Sequence, residues 1–155
     1  MEINVLIDKD FRAHLEAGWL AEVARQILVA EQADPNAELS LVITNQEGIR
    51  QLNRDYLGRD RPTDVLAFSM LGGLPEESSP FVTPPDGVLH LGEVIISYPQ
   101  AVIQAEERKQ PVKREITLLI IHGVLHLLGY DDEKAGARRQ MRAREKEILG
   151  STQGD

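Results

Sequence analysis

A pair of histidines four residues apart, His122 and His126, is the part of the sequence best suited to chemistry. On a helix, residues at this spacing lie on one face with Cβ atoms about 5–6 Å apart, so both imidazoles can reach one cation. Gly129 follows at a position where a left-handed residue would end the helix and turn the chain back. The turn would bring Asp131 or Asp132 within reach of the same cation.

Two imidazoles and one carboxylate suit Zn²⁺ or a similar divalent first-row ion. Three protein ligands leave a coordination position for water, which favours a catalytic site over a structural one. The alternative is that the histidines bind no metal and that the aspartates cap a following helix that begins near Glu133. The setting favours a metal site, because the segment ITLLIIHGVLHLLG is almost continuously apolar and buried imidazoles need partners.

The segment HGVLHLLGYDD resembles the signature HGxLHLxGYDH of the YbeY family of metal-dependent rRNA maturation endoribonucleases. Two further blocks, LNRDYLGRDRPTDVLAFS from Leu52 and LGEVIIS from Leu91, resemble the family's LNxxYRxKDKPTDVLSFP and LGDIxIS segments. The resemblance implies a cytoplasmic bacterial-type or organellar protein that acts on single-stranded RNA, rRNA in particular, during ribosome assembly. It implies the ribosome or ribosomal proteins as candidate partners, and Asp132 as the third metal ligand.

Two positions depart from the family's pattern. Asp132 stands where the family has its third His, and a carboxylate ligand would make the ion a weaker Lewis acid and raise the pKa of its bound water. Leu57 stands where the family has an Arg directly after the Tyr, here Tyr56. Arg59 and Arg61 lie nearby and are candidates for contact with a substrate phosphate; the alternative is that both are solvated loop residues.

Length and composition predict one globular domain, residues 1–150, and a disordered tail, residues 151–155. The chain has 155 residues, of which 42% are hydrophobic, and this is enough for a sizeable core. It has no cysteine, which excludes disulfide partners and thiolate metal sites and fits a reducing compartment. Neither a signal peptide nor a long apolar run is evident, so we expect a cytoplasmic protein with no membrane partner.

The net charge of −8 argues against non-specific binding to nucleic acid. Two clusters of basic residues soften that argument, because local basic patches can coexist with an acidic total. The alternative is that both are solvated faces, the second one paired with Glu145 and Glu147. The clusters are Arg50, Arg54, Arg59 and Arg61, and Lys134, Arg138, Arg139, Arg142, Arg144 and Lys146.

Hydrophobic periodicity predicts an α+β fold, in which a mixed sheet of about four strands packs with about five helices. A central apolar helix carries the two histidines, and the family resemblance implies a similar, zincin-like core. The segment 71–87, rich in Pro and Gly, is predicted to be a mobile surface loop. The predicted strands cover residues 3–7, 39–44, 65–68 and 89–96, and the predicted helices cover 18–31, 47–57, 97–108, a segment from Pro111, and a last helix that ends before Gly150.

Some side chains have a predicted place within these elements. In the helix over 47–57, Tyr56 is expected on the apolar face together with Ile49, Leu52 and Asn53. Glu115 lies seven residues before His122 and is expected to contact either an imidazole or a nearby Lys or Arg. His14 and His90 are expected to be structural.

Three functions fit this pattern. In a metal-dependent endoribonuclease, the ion would lower the pKa of water and supply hydroxide to attack a phosphodiester. A ribosome-assembly protein that keeps the fold without catalysis is the alternative favoured by Leu57 and Asp132. A non-haem iron oxygenase with two His and one carboxylate ranks last. A protease is disfavoured, because Gly123 occupies the position of the general-base Glu in H-E-x-x-H.

Overall fold

The computed structural model describes residues 1–70, 87–130 and 133–151, and these form a mixed four-stranded sheet packed with five helices. The predicted α+β class is therefore confirmed. The strands are β1, Glu2–Ile7; β2, Ala37–Thr44; β3, Val65–Ser69; and β4, Leu89–Ser97. The helices are α1, Ala17–Ala30; α2, Gln46–Leu57; α3, Tyr98–Glu107; α4, Val112–Leu127; and α5, Ala135–Ser151, with a 3₁₀ turn at Lys9–Phe11.

The sheet has the order β1-β2-β4-β3, in which β1, β2 and β4 are parallel and β3 is antiparallel to β4. β4 is buried on both faces over most of its length, and its β-branched residues Val94, Ile95 and Ile96 suit a central strand of this kind. β1 and β3 are the two edge strands.

Two hydrophobic clusters lie on opposite faces of the sheet. The larger cluster includes Val94 and Ile96 and packs against α1 and α4. The smaller cluster joins Ile49 of α2 to Leu66 and Ile95. Because successive strand residues point to opposite faces, Ile95 belongs to one cluster and its two neighbours belong to the other. As a result, β3 has α4 on one face and α2 on the other.

The helix α4 runs through the centre of the protein, as its apolar character predicts, and it contacts α1, α3, α5, β3 and β4. Its close approach to β4 depends on Gly123. A Cβ added at Gly123 would lie 2.6 Å from Cγ1 of Val94, well inside van der Waals contact. The glycine beside His122 is therefore required by the packing of the helix on the sheet.

The predicted boundaries match the observed ones within two residues, and Gly58 ends α2 with a φ of 72°. The prediction for Tyr56 is wrong, because its side chain is 70% exposed. The buried residues of α2 are Ile49 and Asn53, and Asn53 uses its side chain to hold the loop that follows the helix.

The last helix extends slightly beyond its predicted end. α5 continues past Gly150 to Ser151, whose hydroxyl donates to the carbonyl oxygen of Ile148 at 3.0 Å. Ile148 is buried, and this anchors the final turn. Ser151 is thus helical, although it was expected to begin the disordered tail.

Several predictions fall on residues outside the described ranges. These residues include the proposed loop up to residue 86, the two aspartates at 131 and 132, and the tail from residue 152. The single domain over residues 1–150 and the zincin-like core stay predictions. Within the described ranges, no helix is long and apolar enough to cross a membrane.

Candidate metal centre

His122 and His126 lie on one face of α4, one turn apart, and their rings converge. The Nε2 atoms are 3.1 Å apart, and the ring planes meet at 74° with centroids 4.6 Å apart. Two ligands at about 2.0–2.1 Å from a tetrahedral ion would be separated by about 3.3–3.4 Å. The two nitrogens therefore fit a shared first-row metal ion with little adjustment.

Glu145 of α5 lies behind His122, with Oε1 2.8 Å from Nδ1. A carboxylate in this position holds the imidazole proton on Nδ1 and leaves Nε2 to face a cation. The sequence interpretation missed this contact and considered Glu145 as a partner of basic residues. A signal was present, because Glu145 shares a helix face with Met141 and Ile148, which are both buried.

The third ligand predicted from the sequence is Asp132, with Asp131 as the alternative, and both lie outside the described residues. Within residues 1–70, 87–130 and 133–151, no three His, Cys, Asp or Glu side chains come together as a metal site. The assignment of Asp132 stays a prediction. The donors that the structure describes, two converging imidazoles with a carboxylate behind one of them, fit Zn²⁺ or a similar ion.

A cavity of about 260 Å³ opens beside His122, between α4, α5 and the start of β3. Its apolar lining residues are Val65, Leu118, Leu119 and Met141, and the rest of the lining is His122 and charged side chains of both signs. Such a cavity offers both an apolar surface and charged groups that can orient an anion. Its charged residues are Asp64, Arg108, Glu115, Arg138, Arg142 and Glu145.

Glu115 is fully buried and pairs with Arg108, whose Nη1 lies 3.0 Å from Oε2. Gln104 and Gln110 also donate to this carboxylate, at 3.1 and 2.7 Å. Of the two predicted roles for Glu115, the structure shows pairing with a basic residue. The charge of Arg108 is therefore largely neutralised by Glu115.

Arg142 has a different environment from Arg108. It is exposed, it lines the cavity beside His122, and its guanidinium makes no hydrogen bond or ion pair with any residue that the structure describes. Arg138, one turn earlier on α5, donates to the carbonyl oxygen of Glu133 at 3.5 Å. Arg142 is thus well placed to contact an anionic ligand.

Arg59 and Arg61, the predicted substrate contacts, line a neighbouring cavity of about 360 Å³. Val65 lines both cavities, so the two are adjacent. The buried Asn53 fixes the loop that carries both arginines. Its side-chain amide donates to the backbone carbonyl oxygen of Arg61 at 2.9 Å, and its backbone carbonyl oxygen accepts from the backbone amide of Arg59 at 3.2 Å. The two arginines thus lie beside the histidine cavity and do not line it.

The other two arginines of the first basic cluster are paired. Arg50 donates to Glu47 and Asp60, and its hydrogen bonds lower the pKa of Glu47 to about 2. Arg54 contacts Asp55 at 3.1 Å. The positive charge available to a ligand on this side of the protein is therefore concentrated on the loop after α2.

Arg144 of the second cluster has a structural role. It donates to Glu31 at 3.0 Å, to the carbonyl oxygen of Ala30 at 2.8 Å and to Glu147 at 2.9 Å. Tyr130 donates to the same Glu31 carboxylate at 3.2 Å, and burial together with the charge of Glu31 raises the pKa of Tyr130. This group joins α5 to the end of α1 and so positions the helix that carries Glu145.

The two remaining histidines contact residues elsewhere in the fold. The ring of His14 lies 5.7 Å from that of Tyr98. His90 Nδ1 lies 2.8 Å from the carboxylate of Glu38 on the neighbouring strand. These contacts are of the structural kind expected for both.

Residues 6–153 match the family model described as Endoribonuclease YbeY. A protein of that name from Dehalococcoides mccartyi is 50% identical over 146 residues, covering 92% of this chain and 85% of the relative. Another, from Chloroflexus aggregans, is 40% identical over 148 residues and covers 95% and 93%. The solution structure of TM1509 from Thermotoga maritima has a similar fold, with a TM-score of 0.57 at 22% identity, covering 96% of this chain and 90% of that one.

Proposed function

The chain belongs to the YbeY family, and from this premise we propose that it is a metal-dependent endoribonuclease that cuts single-stranded RNA. The proposal includes rRNA as the target, a role in ribosome biogenesis with the ribosome or ribosomal proteins as partners, and a cytoplasmic location. The observation that carries it is the convergence of two Nε2 atoms, 3.1 Å apart, beside a cavity lined by Arg142, which pairs with none of the described residues. The name of the curated relatives supports RNA as the substrate.

His122, His126 and Asp132 would hold one Zn²⁺ or a similar ion per chain. When bound, such an ion polarises a phosphoryl oxygen and lowers the pKa of water. Glu145 keeps the proton of His122 on Nδ1, so that Nε2 stays available as a ligand. Arg142 lines the adjoining cavity, where its charge can bind and orient a phosphodiester.

The packing around Gly123 supports a nuclease over a peptidase. A zinc peptidase of the H-E-x-x-H type needs a Glu at this position as its general base. In this protein, the position faces Val94 of β4 and has no room for a side chain. The residue next to His122 thus serves packing, and a reaction at this site would take its other groups from the cavity wall.

The test combines metal content and RNA cleavage in the purified full-length chain. We expect about one ion per chain and cleavage of a single-stranded oligoribonucleotide, with both lost in His122→Ala and in Asp132→Ala. Asp131→Ala is the matched control and should retain both. Loss in Asp131→Ala alone would move the third ligand to that residue.

Two results would overturn the proposed function and favour another one. A protein that binds the metal but never cleaves single-stranded RNA would be the non-catalytic assembly factor. Oxygen consumption with added iron would favour the oxygenase.

A further inference from the structure

We propose that Tyr56 and Phe68 form a stacking platform for an unpaired RNA base, an inference that rests on the proposed function. Tyr56 lies in the last turn of α2 and Phe68 lies on β3, and their rings are 5.4 Å apart with an interplanar angle of 52°. The Tyr56 side chain is 70% exposed, although the helical pattern predicts it on the buried face. An aromatic ring held in contact with another, yet open to solvent, is suited to a flat ligand.

The hydrophobic core holds one ring of the platform, that of Phe68, in place. Phe68 is half-buried and packs against the smaller hydrophobic cluster of Ile49, Leu66 and Ile95. Leu57, next to Tyr56 in the chain, is also exposed, at 51%. Grouped exposed apolar side chains of this kind mark binding surfaces more often than single exposed residues do.

Charge near the platform favours a nucleic acid over an apolar protein surface. Arg59 and Arg61 follow Tyr56 on the adjacent loop and line a cavity with Leu57. In the described part of the chain, neither guanidinium makes a hydrogen bond or an ion pair. The neighbouring acidic residues are already paired with other arginines. Aromatic faces beside uncompensated arginines are the elements with which proteins bind single strands.

The platform and the histidines lie on opposite faces of β3, the edge strand of the sheet, because Phe68 packs on the α2 side and Val65 on the α4 side. Phe68 and Val65 are three residues apart on β3, which corresponds to about 10 Å along the strand. Val65 lines both the arginine cavity and the cavity beside His122. An RNA strand stacked at Tyr56 can therefore reach the candidate metal centre by passing around the sheet at its edge strand, β3.

Stacking gives a physical reason for choosing single strands. In a duplex, both faces of each base are covered by neighbouring bases, whereas an unpaired base can present a face to Tyr56. The platform would thus contribute to binding of single-stranded RNA and add nothing to binding of duplex RNA.

The experiment measures binding of a labelled single-stranded oligoribonucleotide and of its duplex form by fluorescence anisotropy. The full chain with His122→Ala is the background, so that the RNA stays intact. Tyr56→Ala should weaken single-strand binding about 5- to 100-fold, and Tyr56→Leu should weaken it similarly because the π face is lost. Tyr56→Phe should bind within about twofold of the background, and duplex binding should stay constant.

Leu6→Ala is the control, because Leu6 is 63% exposed on β1 at the opposite edge of the sheet. The inference is overturned if Tyr56→Ala binds single-stranded RNA as well as Leu6→Ala does. It is also overturned if Tyr56→Leu binds like the background, or if Tyr56→Ala loses binding to a ribosomal protein and keeps RNA binding. The Tyr56→Leu result would assign the surface to apolar contact, and the ribosomal-protein result would assign it to a protein partner.

Kinetics with the wild-type histidines separate this inference from the proposed activity. Tyr56→Ala should raise KM for the single strand and leave kcat nearly unchanged. Binding that depends on Tyr56 in a protein that never cleaves RNA would overturn the nuclease proposal and support the platform. Cleavage with an unchanged KM in Tyr56→Ala would support the nuclease proposal and overturn the platform.

Discussion

Glu145 of α5 and His122 of α4 are held 2.8 Å apart across one wall of the cavity. The two helices pack directly against each other, so the orientation of the imidazole depends on the position of α5 as well as on its own helix. Arg144, the residue before Glu145, holds α5 against the end of α1 through its hydrogen bond to Glu31. The geometry of the candidate metal centre therefore depends on three helices.

Glu145→Gln should weaken zinc binding about 10- to 100-fold, because the amide is a poorer partner for the Nδ1 proton than a carboxylate. Competition with a chromophoric chelator would measure the affinity. Glu147→Gln is the control, since Glu147 lies two residues away, is largely exposed and contacts Arg144. Equal zinc affinity in the two variants would contradict the role of Glu145.

Arg142→Ala should lower kcat/KM for RNA cleavage about 10- to 100-fold, as expected for loss of a charged hydrogen bond to phosphate. Arg139→Ala provides the control, because Arg139 is exposed on the same helix and is not part of the cavity lining. Steady-state kinetics at fixed salt concentration would compare them. Similar losses in both variants would indicate a general effect of charge and no specific contact.

Gly123→Ala should lower the free energy of unfolding by about 1–3 kcal/mol, because the new methyl group overlaps Val94. Urea denaturation would measure the change. Gly136→Ala on α5 should be neutral or stabilising by up to about 1 kcal/mol, since nothing lies within 4 Å of the added Cβ. Adding Val94→Ala to Gly123→Ala should recover part of the loss, and strict additivity would argue against the overlap.

Tyr130 should make stability depend on pH in the alkaline range. Burial and the charge of Glu31 raise its pKa in the folded protein above the ordinary value of 10.0. The folded state therefore keeps this proton when the unfolded state has lost it, so the contribution is complete below the unfolded pKa and is lost as pH rises through the folded one. As pH rises above about 10, urea unfolding should show a smaller decline in stability for Tyr130→Phe than for the wild type. Parallel declines would rule out this linkage.

Local patterns in the sequence predict much of the fold. Alternation and helical periodicity depend on neighbouring residues, so they locate the strands and helices within two residues. The convergence of His122 and His126 follows from the same periodicity, because it needs one helix and no other element. Gly58 ends α2 for an equally local reason.

Contacts between distant elements are less accessible from the sequence. Glu145 lies 23 residues from His122, and their contact depends on how α5 packs on α4. The exposure of Tyr56 depends on how α2 is rotated against the sheet, and Asn53 takes the buried position next to it. Ion pairs with distant carboxylates, as for Arg50 and Arg144, decide which arginines of the basic clusters remain available to a ligand, and these pairs also depend on tertiary structure.

The contact between Gly123 and Val94 also limits how this helix can evolve. A helix with His at i and i+4 is one substitution away from the H-E-x-x-H pattern of zinc peptidases. Here, that single step would place a large side chain against the central strand and destabilise the protein before any new activity could be selected. The distance between α4 and the sheet would have to increase first. More than one substitution therefore separates this site from a zinc-peptidase site, although the two sequence patterns differ at one position.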